Sequence, residues 1–343
     1  MLCKTRVWAL AMIAVTGCTV GTPTGFSNGD HWTFPLVGPL EDGVLIVPAT
    51  VRGHGPYLFA IDPDANVTAL DSQVADEAKL RVGLGPKRID ETDTGQVRFY
   101  AEMVDLKIAG LTIGRRDAMV FPIGFYDTEG RHINGILGRD AIADSLVFGF
   151  DRDQGIVTLS TVKAFTPPPD AIAIHYETIL GTATRVSGKP PPAILVARGS
   201  SGAGASAVLD HPDDGIQPQI NESERLGNRL ADVPPIPRRY AIAQIGDAKL
   251  EMHLDLGAAV SQLRTSAWDK AKLDKVQAKL RIVDEAATAR EVTSVGTAPA
   301  VTLDASKGAR VTFVPYIERR FATAELDGSL GLDYFRPYAV YAN

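Results

Sequence analysis

Cysteine is nearly missing from this chain. Cys3 and Cys18 are the only two among 343 residues, which excludes a disulfide framework, a four-thiolate zinc site or a thiolate-held iron-sulfur cluster from the body of the protein. An excess of positive charge is missing too: 35 Lys and Arg face 41 Asp and Glu, for a net charge of -6. No Lys/Arg-rich run and no basic stripe interleaved with aromatics occurs, so nucleic acid is not an expected partner. Beyond the first residues there is no apolar run of the ~18 needed to cross a bilayer. The six histidines are scattered without a helical pair, and no Gly-x-Ser-x-Gly elbow accompanies them. Zinc-hydrolase and serine-hydrolase chemistry therefore find no support, and neither a metal nor a cofactor is expected. What remains is an ordinary globular composition, 45% hydrophobic and 22% charged, with chain enough for about two domains.

The N-terminus reads as a targeting segment. Lys4 and Arg6 precede an apolar stretch at 7–15 that is too short to span a membrane, and small residues follow. Val15-Thr16-Gly17-Cys18 resembles the bacterial lipoprotein cleavage box, which implies removal of residues 1–17 and lipid attachment at Cys18; a plain secretory signal or an uncleaved anchor is the other reading. Removing Lys4 and Arg6 would take the net charge from -6 to -8. Thr19 after the cysteine favours, by the same resemblance, the outer membrane, facing the periplasm or the surface. Residues 18–30 then read as a flexible tether, with membrane contact made through the anchor alone.

The body contains an internal repeat. Residues 57–70 form an apolar strand ending at Asp62, a tight turn and a second apolar strand; residues 250–263 repeat this shape around Asp255. Each copy follows a Gly-containing hairpin (45–55 and 240–247) and precedes a short helical segment (73–80 and 267–273). Downstream, Asn134-Gly135-Ile136-Leu137-Gly138-Arg139-Asp140 matches Asp327-Gly328-Ser329-Leu330-Gly331-Leu332-Asp333. Asp62 to Gly138 and Asp255 to Gly331 are both 76 positions. Two separate motifs at equal spacing point to a duplicated β-rich unit.

These residues resemble the aspartic peptidases, whose two lobes each carry an apolar-apolar-Asp-Thr/Ser-Gly turn and, later, an apolar-apolar-Gly segment beneath it. The likeness is nearest to the bacterial retropepsin-like branch, and it covers about residues 31–160 and 236–343. It implies a mainly β fold of two pseudo-symmetric acid-protease-like β-barrel lobes with a few short helices. Lobe 1 is expected over 31–165 and lobe 2 over 166–343, with a Pro/Gly-rich insertion at about 180–236. It also implies catalysis by Asp62 and Asp255. Two carboxylates at close range cannot both ionise, so one holds a proton as acid while the other activates a water against the peptide carbonyl. Such a pair titrates as a unit and favours acidic pH. Asp64, Gly257, Gly138 and Gly331 are expected to support the turns and the bound substrate.

The departures from the family pattern are specific. The hydroxyl residue that braces the lobes is replaced by Pro63 in one copy and Leu256 in the other, and Asp64 stands where Gly257 keeps the usual glycine. Asp64 would also raise the pKa of a neighbouring carboxyl or force one of the side chains out to solvent. They keep open a second function class, a catalytically impaired pseudoprotease binding an extended peptide or cell-envelope partner in the interlobe cleft. The lobes could also each pair with a second chain, although equal spacing favours pairing within one monomeric chain. A flap is expected at 88–100. The Asp62-Pro63-Asp64-Ala65-Asn66 spacing superficially suits calcium, yet Val67 holds the obligatory Gly place. A dinucleotide-like Gly202 to Ala207 stretch lacks a following helix. His253, two residues before Asp255 on the same strand face, is read as an ordinary core or surface histidine, a place beside the pair being the other reading, and residues 268–281 as a basic solvated helix.

Overall fold

The computed structural model describes residues 30–37, 43–65, 67–84, 99–124, 126–127, 129–142, 146–180, 184–186, 193–198, 237–283, 289–316 and 326–342. The first half runs β1 (His31–Pro35), β2 (Leu45–Val51), β3 (His54–Ile61), β4 (Ala69–Asp71), α1 (Ser72–Glu77), β5 (Val82–Leu84), β6 (Phe99–Ile108), β7 (Leu111–Phe121), β8 (Gly135–Leu137), α2 (Arg139–Ile142), β9 (Leu146–Asp151) and β10 (Ile156–Thr161). The second runs β11 (Ile172–His175), β12 (Glu177–Leu180), β13 (Thr184–Val186), β14 (Ala193–Arg198), β15 (Pro237–Ile245), β16 (Ala248–Leu254), β17 (Gln262–Leu263), α3 (Thr265–Ala271), β18 (Val276–Val283), β19 (Ala289–Leu303), β20 (Ala309–Pro315), β21 (Gly328–Leu330), α4 (Leu332–Phe335) and β22 (Tyr338–Ala342). The fold is mainly β, as expected, and the helices are short.

The duplication is visible strand by strand. One sheet has the order β2-β3-β8-β4-β7-β6-β5 and curls until β2 pairs with β6. The other contains β15-β16-β21-β17-β20-β19-β18 in the matching order, with β15 pairing β19 and with β12 and β13 added at its edge. The directions also match. β3 lies parallel to β8 and β16 to β21, while β4 and β17 run antiparallel to β8 and β21 and parallel to β7 and β20. Each lobe is thus a small barrel with an Asp-bearing turn at the end of β3 or β16.

A third sheet joins the lobes in the order β1-β10-β9-β22-β14-β11. Its centre is β9 against β22, with Phe150 opposite Val340. All six residues of β9 are buried, which explains why Leu146 to Phe150 reads as a continuous apolar run rather than an alternating one. The place β10 takes beside β9 is taken beside β22 by β14, which pairs Val196 with Val340. One apolar core runs through both halves, from Phe59, Ile61 and Phe148 to Leu254, Leu256, Phe313 and Val340.

One expected element differs. The helix anticipated at 268–281 stops at Ala271, where Lys272 turns left-handed (φ 50°), and β18 follows. Val276, Gln277 and residues 280–283 pair with β19 across a register shift between Gln277 and Leu280, so strand pairing overrides a Lys/Ala-rich composition. Residues 18–29 of the tether, residues 88–98 of the expected flap and the Gly202 to Ala207 stretch lie outside the described residues.

Candidate active site

Asp62 and Asp255 sit just past the ends of β3 and β16, and the parallel partner strand fixes each backbone. The Asp62 N–H donates to Leu137 O at 3.0 Å and the Asp255 N–H to Leu330 O at 2.9 Å. Each side chain then organises its own turn. Asp62 Oδ1 accepts from the N–H groups of Asp64 (2.9 Å) and Ala65 (3.0 Å), and Asp255 Oδ1 accepts from those of Gly257 (3.1 Å) and Ala258 (2.9 Å). Two backbone donors on one carboxylate oxygen hold both residues in corresponding geometry.

The turns meet. One carboxylate oxygen from each of Asp62, Asp64 and Asp255 lies within 4.8 Å of the others. A Cβ built on Gly257 would land on the Asp62 carboxylate, so this glycine is required by close approach; its φ is not left-handed. The φ of Asp64, at the corresponding position of the first turn, is not positive either, and its backbone tolerates a side chain.

Beneath the turns lies a hydroxyl network that the sequence reading did not single out. Thr68 Oγ1 donates to Asp140 Oδ1 (2.9 Å) and accepts from the Gly138 N–H (3.3 Å). In the other lobe Ser261 Oγ donates to Asp333 Oδ1 (2.6 Å) and accepts from the Gly331 N–H (3.0 Å). Each member is 193 positions from its counterpart, the offset that also relates Asp62 to Asp255; that shared offset was the available signal. The glycines leave no room for a side chain. A Cβ at Gly138 would lie 2.6 Å from the Val67 carbonyl carbon, and one at Gly331 2.8 Å from Ala258 O. Asp333 is pushed up to about 6, because burial outweighs the hydrogen bonds from Ser261 and Tyr334.

Asp64 differs most from expectation. It is neither expelled to solvent nor left against its neighbours: its side chain is 12% exposed, and Oδ1 accepts from Arg239 Nη1 at 2.7 Å. Its Oδ2 accepts from the backbone N–H of Leu256 at 2.9 Å. Pro63 and Leu256 lack a hydroxyl, and the buried Leu256 side chain joins the core, but its N–H is still taken across the lobe interface by a carboxylate. Arg239, on β15, carries no signal in the sequence, because it stands just ahead of the hairpin at 240–247 and its partner Asp64 is 175 positions away. Burial opposes its charge, but Asp64 chiefly, then Tyr176 and Asp62, outweigh that cost and hold its pKa above the ordinary value. The guanidinium lies 5.8 Å from the centre of the Tyr176 ring. His253 is buried, with Nδ1 3.9 Å from Asp255 Oδ2, beyond hydrogen-bonding reach. Cys18 lies outside the described residues.

Residues 47–141, which contain the first turn, Gly138 and Asp140, match the family model described as aspartyl protease. This supports an aspartic protease-like family and, in general terms, an aspartic-type peptidase. No curated protein matches the chain. Among solved structures it is similar to basic 7S globulin from soybean, at 8% identity and a TM-score of 0.38, over 93% of this chain and 95% of that one. It is also similar to conglutin gamma, a basic 7S globulin from lupine seeds, at 6% identity and 0.38, over 92% and 95%. Superpositions this loose carry no functional information.

Proposed function

We propose that the chain is an aspartic-type peptidase in which Asp62 and Asp255 share one proton and activate a water against a peptide bond. The supporting observation is the pair of corresponding turns. Each holds Oδ1 of its aspartate with two backbone N–H groups, and the turns bring the carboxylates within 4.8 Å. With Oδ1 of each fixed, the ionised partner takes a proton from the water as it attacks the carbonyl carbon. The protonated partner donates its proton to the developing oxyanion, and the partner that took the water's proton then gives it to the amine nitrogen as the C–N bond breaks.

The test is hydrolysis of an unfolded protein by the full chain in detergent, scanned from acidic to neutral pH. Asp62→Asn and Asp255→Asn should each lower the rate by at least about 100-fold. Turnover that survives both substitutions, or none at any pH from a folded chain, would sink the reading; the latter outcome would favour a peptide-binding cleft. A lipid anchor at Cys18 on the periplasmic or surface side of a bacterial envelope belongs to the same proposal. The intact mass of the chain from cells should then show loss of residues 1–17 and added acyl groups, and Cys18→Ala should abolish both.

A further inference from the structure

We propose that Asp64 and Arg239 form an interlobe clasp that positions the Asp62 and Asp255 carboxylates and sets the charge around them. This rests on the peptidase reading for its catalytic meaning but not for its geometry. Asp64 belongs to the first lobe, and both of its partners to the second: Arg239 Nη1 at 2.7 Å and the Leu256 N–H at 2.9 Å. Leu256 directly follows Asp255, and Asp64 donates its own N–H to Asp62 Oδ1. One side chain therefore ties both turns together, and a charged acceptor makes each bond stronger than a neutral one would.

The clasp also answers an electrostatic problem. Three carboxylates with oxygens within 4.8 Å repel one another unless a proton or a cation intervenes. Arg239 is the cation, 9% exposed along its side chain and permanently protonated. Among the described residues, the charged and titratable groups around the pair are Asp62 and Asp64 on the first turn, Asp255 on the second, His253 on β16, Arg239 on β15 and Tyr176 before β12. Asp140 and Asp333 lie one layer below, behind Thr68 and Ser261. Within this set Asp64 and Arg239 cancel, leaving Asp62 and Asp255 to share a single proton. Both clasp members are positioning residues, because they act through the pair.

Removing one charge at a time should move the pair in opposite directions, which a packing role would not do. Asp64→Asn keeps an acceptor for the Leu256 N–H while leaving Arg239 uncompensated, so both apparent midpoints fall. Arg239→Gln leaves Asp64 uncompensated, so both rise. The double substitution restores neutrality. The experiment is a carboxyl carbon-13 NMR titration of the full chain in detergent with labelled aspartate, the resonances being assigned through Asp62→Asn and Asp255→Asn.

We expect shifts of about one unit or more, down and up respectively, with the double variant close to the parent. Should Arg239→Gln fail to fold, Arg239→Lys keeps the charge and should leave the midpoints in place while Asp64→Asn still lowers them. Midpoints unmoved in Asp64→Asn, or moved the same way by both single changes, would overturn the clasp. Hydrolysis measured on the same samples separates the two ideas: opposed shifts without turnover would leave the clasp standing and sink the peptidase reading.

Discussion

At Gly257 the backbone passes so close to the Asp62 carboxylate that a single methyl group would occupy its place. Gly257→Ala should therefore push the two carboxylates apart and lower peptidase activity by about 100-fold, the scale on which a misplacement near 1 Å acts. The fold should survive, because Gly257 is only half-buried and its φ suits any residue. Kinetics beside a melting curve checks this: an active Gly257→Ala variant would show that the turns do not meet as described. The same scale shows why the first turn reads poorly in sequence. Asp62-Pro63-Asp64 lacks both the hydroxyl and the glycine of the pattern, and Asp64 makes sense only with Arg239, 175 positions away, beside it.

Between a turn and its barrel stands one hydroxyl, and the two copies can be tested in parallel. Ser261→Ala strips the Gly331 N–H of its acceptor and Asp333 of a donor in a buried setting. It should cost about 1–3 kcal/mol in denaturant unfolding, and Thr68→Ala a similar amount in the first lobe. Asp333 adds a pH dependence. Its folded value of about 6 lies above its ordinary 3.8, so the stability tied to its protonated form is full below about 4 and is lost as pH rises through 6. At 1.36 kcal/mol per unit this is bounded at about 3 kcal/mol. Compared with Asp333→Asn, the parent should gain stability on going from pH 6.5 to 4; a difference flat across that window would contradict the assignment. Hydroxyl and acidic residues at matching offsets were legible in the sequence, but their contact was not, since Ser261 and Asp333 are 72 positions apart.

On the scale of the whole molecule, the last strand is the keystone of the joining sheet. β22 lies between β9 of the first half and β14 of the second, and its Val340 is fully buried. Deleting residues 338–343 removes the strand that, among the described residues, bonds β9 to β14, and exposes the buried face of β9. The shortened chain should unfold in two separate steps, or aggregate, where the full chain unfolds in one, as calorimetry would show. One unchanged transition would mean that the barrels hold each other without the joining sheet.

The sequence by itself determined the duplication, the mainly β class, the two aspartates and the glycines beneath them. These depend on local patterns, an apolar strand ending at an Asp and an apolar-apolar-Gly segment, repeated at a constant offset. Only the tertiary structure decided how the altered first turn is stabilised. That outcome depends on a carboxylate, a guanidinium and a backbone N–H brought from Asp64, Arg239 and Leu256 to one point. Hydrogen bonds and charge pairs of this kind act over a few ångströms and leave no periodicity in the chain, whereas burial of a strand face imprints itself on every second residue.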